Sequence, residues 1–329
     1  MARHRGKFDK YNNAPYELSR SRIENFINCP ACFYMQQVEK IDFPSTPGFN
    51  INEATDILLK KDFNYYRLQK KPHPFLVKQG LPNLIPYQHE HFELWTQSMH
   101  FGAENRFHYD DKINNLRIGG GLDDVWLNTK TNKLHIVDYK STSQKSDNGP
   151  INLNDYWKGA YKRQMDLYIW VMRNKGLDVD DVGYFLYCDG DRFTDHAFLN
   201  ETHALMEFKI TLIPYKCDLN WIETTLKKIH ENLRLEERPK HSDNCEYGKF
   251  IYESSETSTK LKIKTLFYKS VNLSLKEPFK KAAIVKEAFN SQFHKELKDN
   301  KSNYSGKKAI IFKEELHGTE SLGVVTLNQ

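Results

Sequence analysis

The sequence predicts an α/β fold with a mixed central β-sheet flanked by helices, and three observations carry that expectation. Helical spacing of apolar residues dominates the first hundred residues. The stretch "RIGGGLDDVWLNTKTNKLHIVDYKST" then alternates apolar and polar residues around a polar turn. A helical segment follows before two more strand-like runs. An order of helices, hairpin, helix and strands places helices against a sheet that mixes hairpin and crossover connections.

Taken in order, residues 1–16 are polar and basic and read as a flexible N-terminus. Ser19 reads as the N-cap of a helix in "SRIENFINCPACFYMQQV", where Ile23, Phe26 and Ile27 share a face; Pro30 should break or kink it beside Cys29. The Pro-rich "IDFPSTPGF" leads to a helical "NEATDILLKKDFNYYRLQK", and "KKPHPFLVKQGLPNLIPY" reads as loop. A third helix is expected over 88–107, strands over 116–142, and a helix over about 155–175. Strands follow in "VGYFLYCDG" and "HALMEFKITLIPY", then a helix over 218–235. From Ser254 onward the composition turns to Ser, Thr, Lys and Asn, with one amphipathic helix near "KKAAIVKEAFNSQFHKEL". The expected organisation is a folded core over 17–252 and a polar, Lys/Ser-rich C-terminal extension, 253–329, of unknown role.

Composition narrows the class. Hydrophobic residues at 39% and charged residues at 28% suit a chain that folds in water. No apolar run approaches the ~18 residues of a membrane span. "MARHRGKFDK" lacks the apolar stretch of a signal peptide, so a cytoplasmic location with no membrane partner is expected. Five cysteines point to metal ligation or burial in preference to a disulfide framework. A net charge of +5 permits a polyanionic partner without requiring one.

The hairpin carries the chemistry. Along "LHIVDYKST", Asp138 and Lys140 point to one face. If "TKTN" is the turn, Asn128 faces Lys133, Trp126 lies opposite His135, and Asp123 lies opposite Asp138. Directly opposed residues hold their Cβ atoms roughly 4.5–5.5 Å apart, so the two carboxylates repel unless a cation sits between them. Mg²⁺ or Mn²⁺ suits such oxygen ligands. Lys140 could then orient or deprotonate a water. Gly119, Gly120 and Gly121 are expected to let a long ligand approach the strand. A register slip of one would bring Asp124 in place of Asp123. An acid-x-Lys triplet alone is weak, since others occur at Asp110, Glu207, Glu296 and Asp299.

The combination is specific. Gly-x-x-Asp ending at Asp123, then Asp138-x-Lys140, then Gln164 and Tyr168 four apart on one helical face, resembles the PD-(D/E)XK nuclease superfamily. Its nearest likeness is the RecB-type branch, with the nuclease domains of recombination helicase-nucleases and CRISPR adaptation nucleases. The resemblance implies a restriction-endonuclease-like core and a Mg²⁺- or Mn²⁺-dependent deoxyribonuclease. Its substrate would be DNA, single-stranded or with ends, its setting DNA repair, recombination or defence, and its partner a protein such as a helicase. Asp123, Asp138 and the backbone carbonyl of Tyr139 would hold the metal, Lys140 would serve the attacking water, and Gln164 and Tyr168 would support the site.

Two elements of the resemblance stay open at this level. The family adds an upstream His or acid; Asp56 is the best-placed candidate, with Glu53, His89, His91 and His100 as alternatives. RecB-type nucleases also clamp an iron-sulfur cluster between N- and C-terminal cysteines. Here Cys29, Cys32 and Cys245 are present, but Gly248 stands in the fourth place. The preferred reading is a decayed site; the alternative is a [4Fe-4S] cluster or Zn²⁺ completed by His241 or Cys217. The competing functional reading is a catalytically silent nucleic-acid-binding or scaffold module on the same fold.

Overall fold

The computed structural model describes residues 7–44, 48–97, 105–145 and 149–257, together with the backbone of 308–315 and 318–326. The chain divides into two compact units, Met1–Asp243 and Asn244–Gln329.

The first unit opens with strand β1 (Tyr16–Ser19) and helices α1 (Arg20–Asn28) and α2 (Pro30–Gln37). Cys29 is extended between the helices, at φ −159° and ψ 108°, and Pro30 begins α2. Proline lacks the N–H that a continuous helix would need there, so the expected break occurs at this residue. Helix α3 (Asn50–Gln69) is followed by α4 (Pro74–Lys78), β2 (Leu84–Pro86) and α5 (Phe92–Trp95). Two expectations are corrected here. The supposed loop at 70–87 contains α4 and a short edge strand, where Pro86 is tolerated because an edge strand need not donate on both sides. The helix expected over 88–107 is a single turn, and residues 98–104 lie outside the described residues.

Strands β3 (His108–Asp111), β4 (Leu116–Gly119), β5 (Asp124–Asn128) and β6 (Leu134–Thr142) come next. A 3₁₀ turn (Tyr156–Lys158), α6 (Gly159–Asn174), β7 (Val182–Gly190), β8 (Phe208–Lys216) and α7 (Ile222–Asn232) complete the unit. The central sheet runs β2-β5-β6-β7-β8, with β6 and β7 parallel and the other pairs antiparallel. This is the mixed sheet of a restriction-endonuclease-like fold, and α6 is the crossover its parallel pair requires. A smaller sheet, β1-β4-β3, takes β4 away from β5. The chain leaves one sheet for the other at the three glycines.

Alternation along β6 divides the core. Leu134 and Ile136 join the apolar cluster that includes α6 residues Met165, Tyr168 and Ile169. Val137 and Tyr139 face the other way, with Phe63 of α3 and Trp126. Phe63 stacks on Trp126 at 5.3 Å and 17°, an aromatic pair of about 1 kcal/mol beyond its burial. Asp138 and Lys140 therefore emerge on the α6 side, at the end of an apolar row.

In the second unit, residues 246–257 are helical, and β9 (Lys308–Glu315) pairs antiparallel with β10 (Gly318–Thr326). The amphipathic helix expected near 280–297 lies outside the described residues.

Candidate active site

Strand register sets the first two acids. Trp126 pairs with His135 and Asp124 with Val137, so the next step along the ladder brings Asp123 toward Asp138. Oδ2 of Asp123 accepts the backbone N–H of Tyr139 at 2.9 Å, which holds its carboxylate at the edge of β6. The neighbouring Asp124 points to the opposite face. There it is buried and accepts from Trp126 Nε1 at 3.1 Å, from the Tyr139 hydroxyl at 2.6 Å, and from Arg67. Two consecutive acids thus do different work because a strand turns every second side chain over.

Asp138 is 2% exposed. Gln164 of α6 donates through Nε2 to its Oδ1 at 2.7 Å, and Lys140 forms an ion pair with its Oδ2. Burial pushes the Asp138 carboxyl up to about 6, against the pull of Lys140, with the Asp123 carboxylate adding to the rise. The Lys140 ammonium also lies 4.7 Å from the centre of the Tyr161 ring.

Helix α3 supplies the third acid. The Thr55 and Ser141 hydroxyls hydrogen-bond, and Asn52 Nδ2 donates to the Ser141 carbonyl at 3.4 Å, which fastens the start of α3 to the end of β6. Asp56 is carried into the site by this contact. Burial raises its pKa, and the Asp123 carboxylate raises it further. Lys60, one turn on, lies 2.7 Å from Asp56 Oδ2 and 3.3 Å from Asp123 Oδ1. Burial alone would lower the Lys60 pKa, but the two carboxylates outweigh it. Lys60 thus provides positive charge between Asp56 and Asp123. Glu53 is exposed on α3. His89 stacks on Trp95 at 4.2 Å and accepts the His91 N–H, and His100 lies outside the described residues.

The glycines serve the protein's own packing, which corrects the expectation that they admit a ligand. A Cβ on Gly119 would lie 2.1 Å from the Phe107 carbonyl oxygen, and one on Gly120 would lie 2.4 Å from the Tyr168 hydroxyl. Tyr168 is therefore seated against Gly120 at the start of the acid-bearing segment. Burial raises its pKa strongly, so it stays a neutral phenol; the Arg20 guanidinium donates to its hydroxyl and also lies near Asp138.

Asp56 and Asp123 thus meet at the Lys60 ammonium, and Lys140 and Gln164 meet at Asp138 on β6, with Tyr168 seated against Gly120. A family model for the PD-(D/E)XK nuclease superfamily matches residues 66–250. The chain belongs to the PD-(D/E)XK nuclease superfamily. Neither curated proteins nor solved structures gave a match in the same comparisons. The matched span covers β5, β6 and α6, and so the acids of the hairpin, the lysine and the glutamine; Asp56 and Lys60 precede it.

Sequence reasoning about this superfamily member missed Lys60 and Arg20. Lys60 had a local signal, the i,i+4 spacing from Asp56. Arg20 had none, because only the packing of α1 against α6 brings it to Tyr168. The acceptor chemistry fits a hard cation: Oδ1 of Asp56 is buried without a hydrogen-bond donor, and an ammonium already spans Asp56 and Asp123.

A second donor group lies in the first unit. Nδ1 of His241 is 3.4 Å from Cys29 Sγ and 3.5 Å from Cys32 Sγ, and the Ser242 N–H points at Cys29 Sγ, also at 3.4 Å. The break at Pro30 leaves Cys29 extended ahead of α2 and Cys32 in the first turn of that helix. In the second unit, Cys245 immediately precedes helical residues 246–257, and its Sγ accepts the Gly248 N–H at 3.3 Å. Gly248 thus meets Cys245 through its backbone N–H. Cys217 is engaged elsewhere, its N–H bonded to the Asp181 carbonyl at 2.8 Å.

Among the described residues, no helix is long and apolar enough to cross a membrane.

Proposed function

We propose that this superfamily member is a Mg²⁺- or Mn²⁺-dependent deoxyribonuclease. The observation that carries the reading is that Asp56 and Asp123 converge on Lys60 while Asp138, which feels the Asp123 carboxylate, pairs with Lys140, with the buried Oδ1 of Asp56 lacking a hydrogen-bond donor. Asp56, Asp123 and Asp138 would hold the ion, with the Tyr139 carbonyl, which shares a strand edge with the N–H that Asp123 accepts. When bound, such an ion acidifies water and offsets charge on the phosphate.

The chain's own residues do the rest. Gln164 fixes the Asp138 carboxylate so that its second oxygen stays turned toward Lys140. Lys140 holds the attacking water and faces the charge that develops on the phosphate. Tyr168, kept neutral, fixes the Arg20 guanidinium, which suits a phosphate oxygen. The resemblance to the RecB-type branch extends the proposal to exonucleolytic action in DNA repair, recombination or defence, with a helicase as partner. Labelled single- and double-stranded DNA, incubated with the protein in Mg²⁺, Mn²⁺ or EDTA, tests the reading. Metal-dependent cleavage supports it; tight binding without cleavage in either metal makes the chain a silent binding module.

We further propose that Cys29, Cys32 and His241 of the first unit supply donors to one zinc ion. Thiols together with an imidazole are structural zinc donors, whereas cubane clusters commonly take four thiolates. Elemental analysis should return one zinc per chain, lost in Cys29→Ser; iron with an absorbance band near that of a cluster would replace zinc in this assignment.

A further inference from the structure

We propose that Tyr156 and Trp157 form a base-stacking platform that selects an unpaired DNA strand at the mouth of the site. The inference rests on the nuclease reading and names its substrate class.

Three observations point to it. Tyr156 is 100% exposed and Trp157 55% exposed, side by side in the 3₁₀ turn that enters α6. Leaving two large rings in water forfeits the burial that usually stabilises them, at ~25 cal/mol for each Å². A single exposed aromatic needs no explanation, but an adjacent pair at an active-site rim does.

The turn that presents them is rigid. Lys158 is 6% exposed, and its ammonium is tied to the Asn152 carbonyl at 2.7 Å and to Asp155 Oδ2 at 2.7 Å. The same ammonium lies 5.0 Å from the centre of the Trp157 ring. A buried lysine therefore staples the turn from below while the rings face outward. Rings held this way lose little freedom on meeting a base.

The platform is also continuous with the catalytic groups. Trp157 meets Tyr161 edge to face at 5.6 Å and 86°, and the Tyr161 ring carries the Lys140 ammonium at 4.7 Å. Lys140 in turn pairs with Asp138. A strand whose phosphate lies at Lys140 has its neighbouring bases beside these rings. Stacked, paired bases in a duplex present no free face there, so the arrangement favours unpaired nucleotides. Base–aromatic stacking tolerates any sequence, because every base has a π-face.

The test uses the full-length chain carrying Asp138→Asn, so that bound DNA stays uncut. Anisotropy titrations compare a labelled oligo-dT, the same oligomer with abasic sites, and a blunt duplex. Adding Trp157→Ala or Tyr156→Ala should weaken oligo-dT binding roughly tenfold each. The abasic oligomer should bind the ring-intact protein as weakly, and Trp157→Phe should retain most of the affinity. Equal binding of oligo-dT and abasic strand, or ring variants that bind oligo-dT unchanged, overturns the platform. Cleavage by the otherwise wild-type protein is scored separately. A protein that cuts DNA but ignores the rings sinks the platform alone, and one that cuts nothing in either metal sinks the nuclease reading.

Discussion

Lys60 stands between Asp56 and Asp123, with Nζ 2.7 Å from Oδ2 of the first and 3.3 Å from Oδ1 of the second. An ammonium in that place and a divalent ion near it answer the same electrostatic demand. Lys60→Ala should therefore lower metal-free stability by about 1 kcal/mol, since the pair is partly solvated. It should also make the protein more responsive to metal. Thermal shifts with and without Mn²⁺ check this: the rise in melting temperature on adding Mn²⁺ should be larger in the variant by a few degrees. Equal rises in both proteins would show that Lys60 does not stand in for the ion.

Asp138 and Lys140 should be separable in their effects. Asp138→Asn keeps shape and the Gln164 contact while removing a ligand charge, so cleavage should fall by at least ~100-fold. DNA binding should hold or tighten as repulsion of the phosphates drops. Lys140→Ala should abolish turnover with metal affinity nearly intact, measured by calorimetric titration of Mn²⁺. Normal cleavage in either variant removes that residue from the site.

Gly120 faces Tyr168 so closely that a methyl group has no room. Gly120→Ala should cost about 1–3 kcal/mol of stability through overpacking. The displaced phenol should lose its place against Arg20, so cleavage should fall as well. Tyr168→Phe in the same chain removes the atom nearest the new Cβ, at 2.4 Å, and should restore part of the stability. Chemical denaturation of the single and double variants measures both terms. No recovery in the double variant would place the clash elsewhere.

Arg67 and Asp124 are buried on the far face of the sheet from the site, 4% and 1% exposed. Arg67→Met leaves the Asp124 carboxylate without its cation and should destabilise by about 3 kcal/mol, the low end for a broken buried pair because three other donors remain. The double variant Arg67→Met with Asp124→Asn should be less destabilised than the two single losses added together. Strict additivity would mean that the pair is not coupled.

Much of the fold was legible locally. The break at Pro30, the span of α3, and the strands β6 and β7 follow from proline chemistry, from helical spacing and from runs of β-branched and aromatic residues. The four-residue turn set the hairpin register, and with it the pairing of Trp126 with His135. That register brought Asp123 toward Asp138, where a slip of one would have put Asp124, while Asp138 and Lys140 share a face through the strand period of two.

What the tertiary structure alone decided is contact between segments far apart in the chain. Arg20 meets Tyr168, Asp56 reaches the hairpin acids through the Thr55–Ser141 contact, and His241 closes on Cys29 and Cys32 across more than two hundred residues. The glycines illustrate the same division. Their lack of a side chain was plain in the sequence, but whether the vacant space faced a ligand, a carbonyl or a phenol depended on which segments packed there. Local spacing determines which way a side chain points from its own element; the packing of elements against one another determines what it finds.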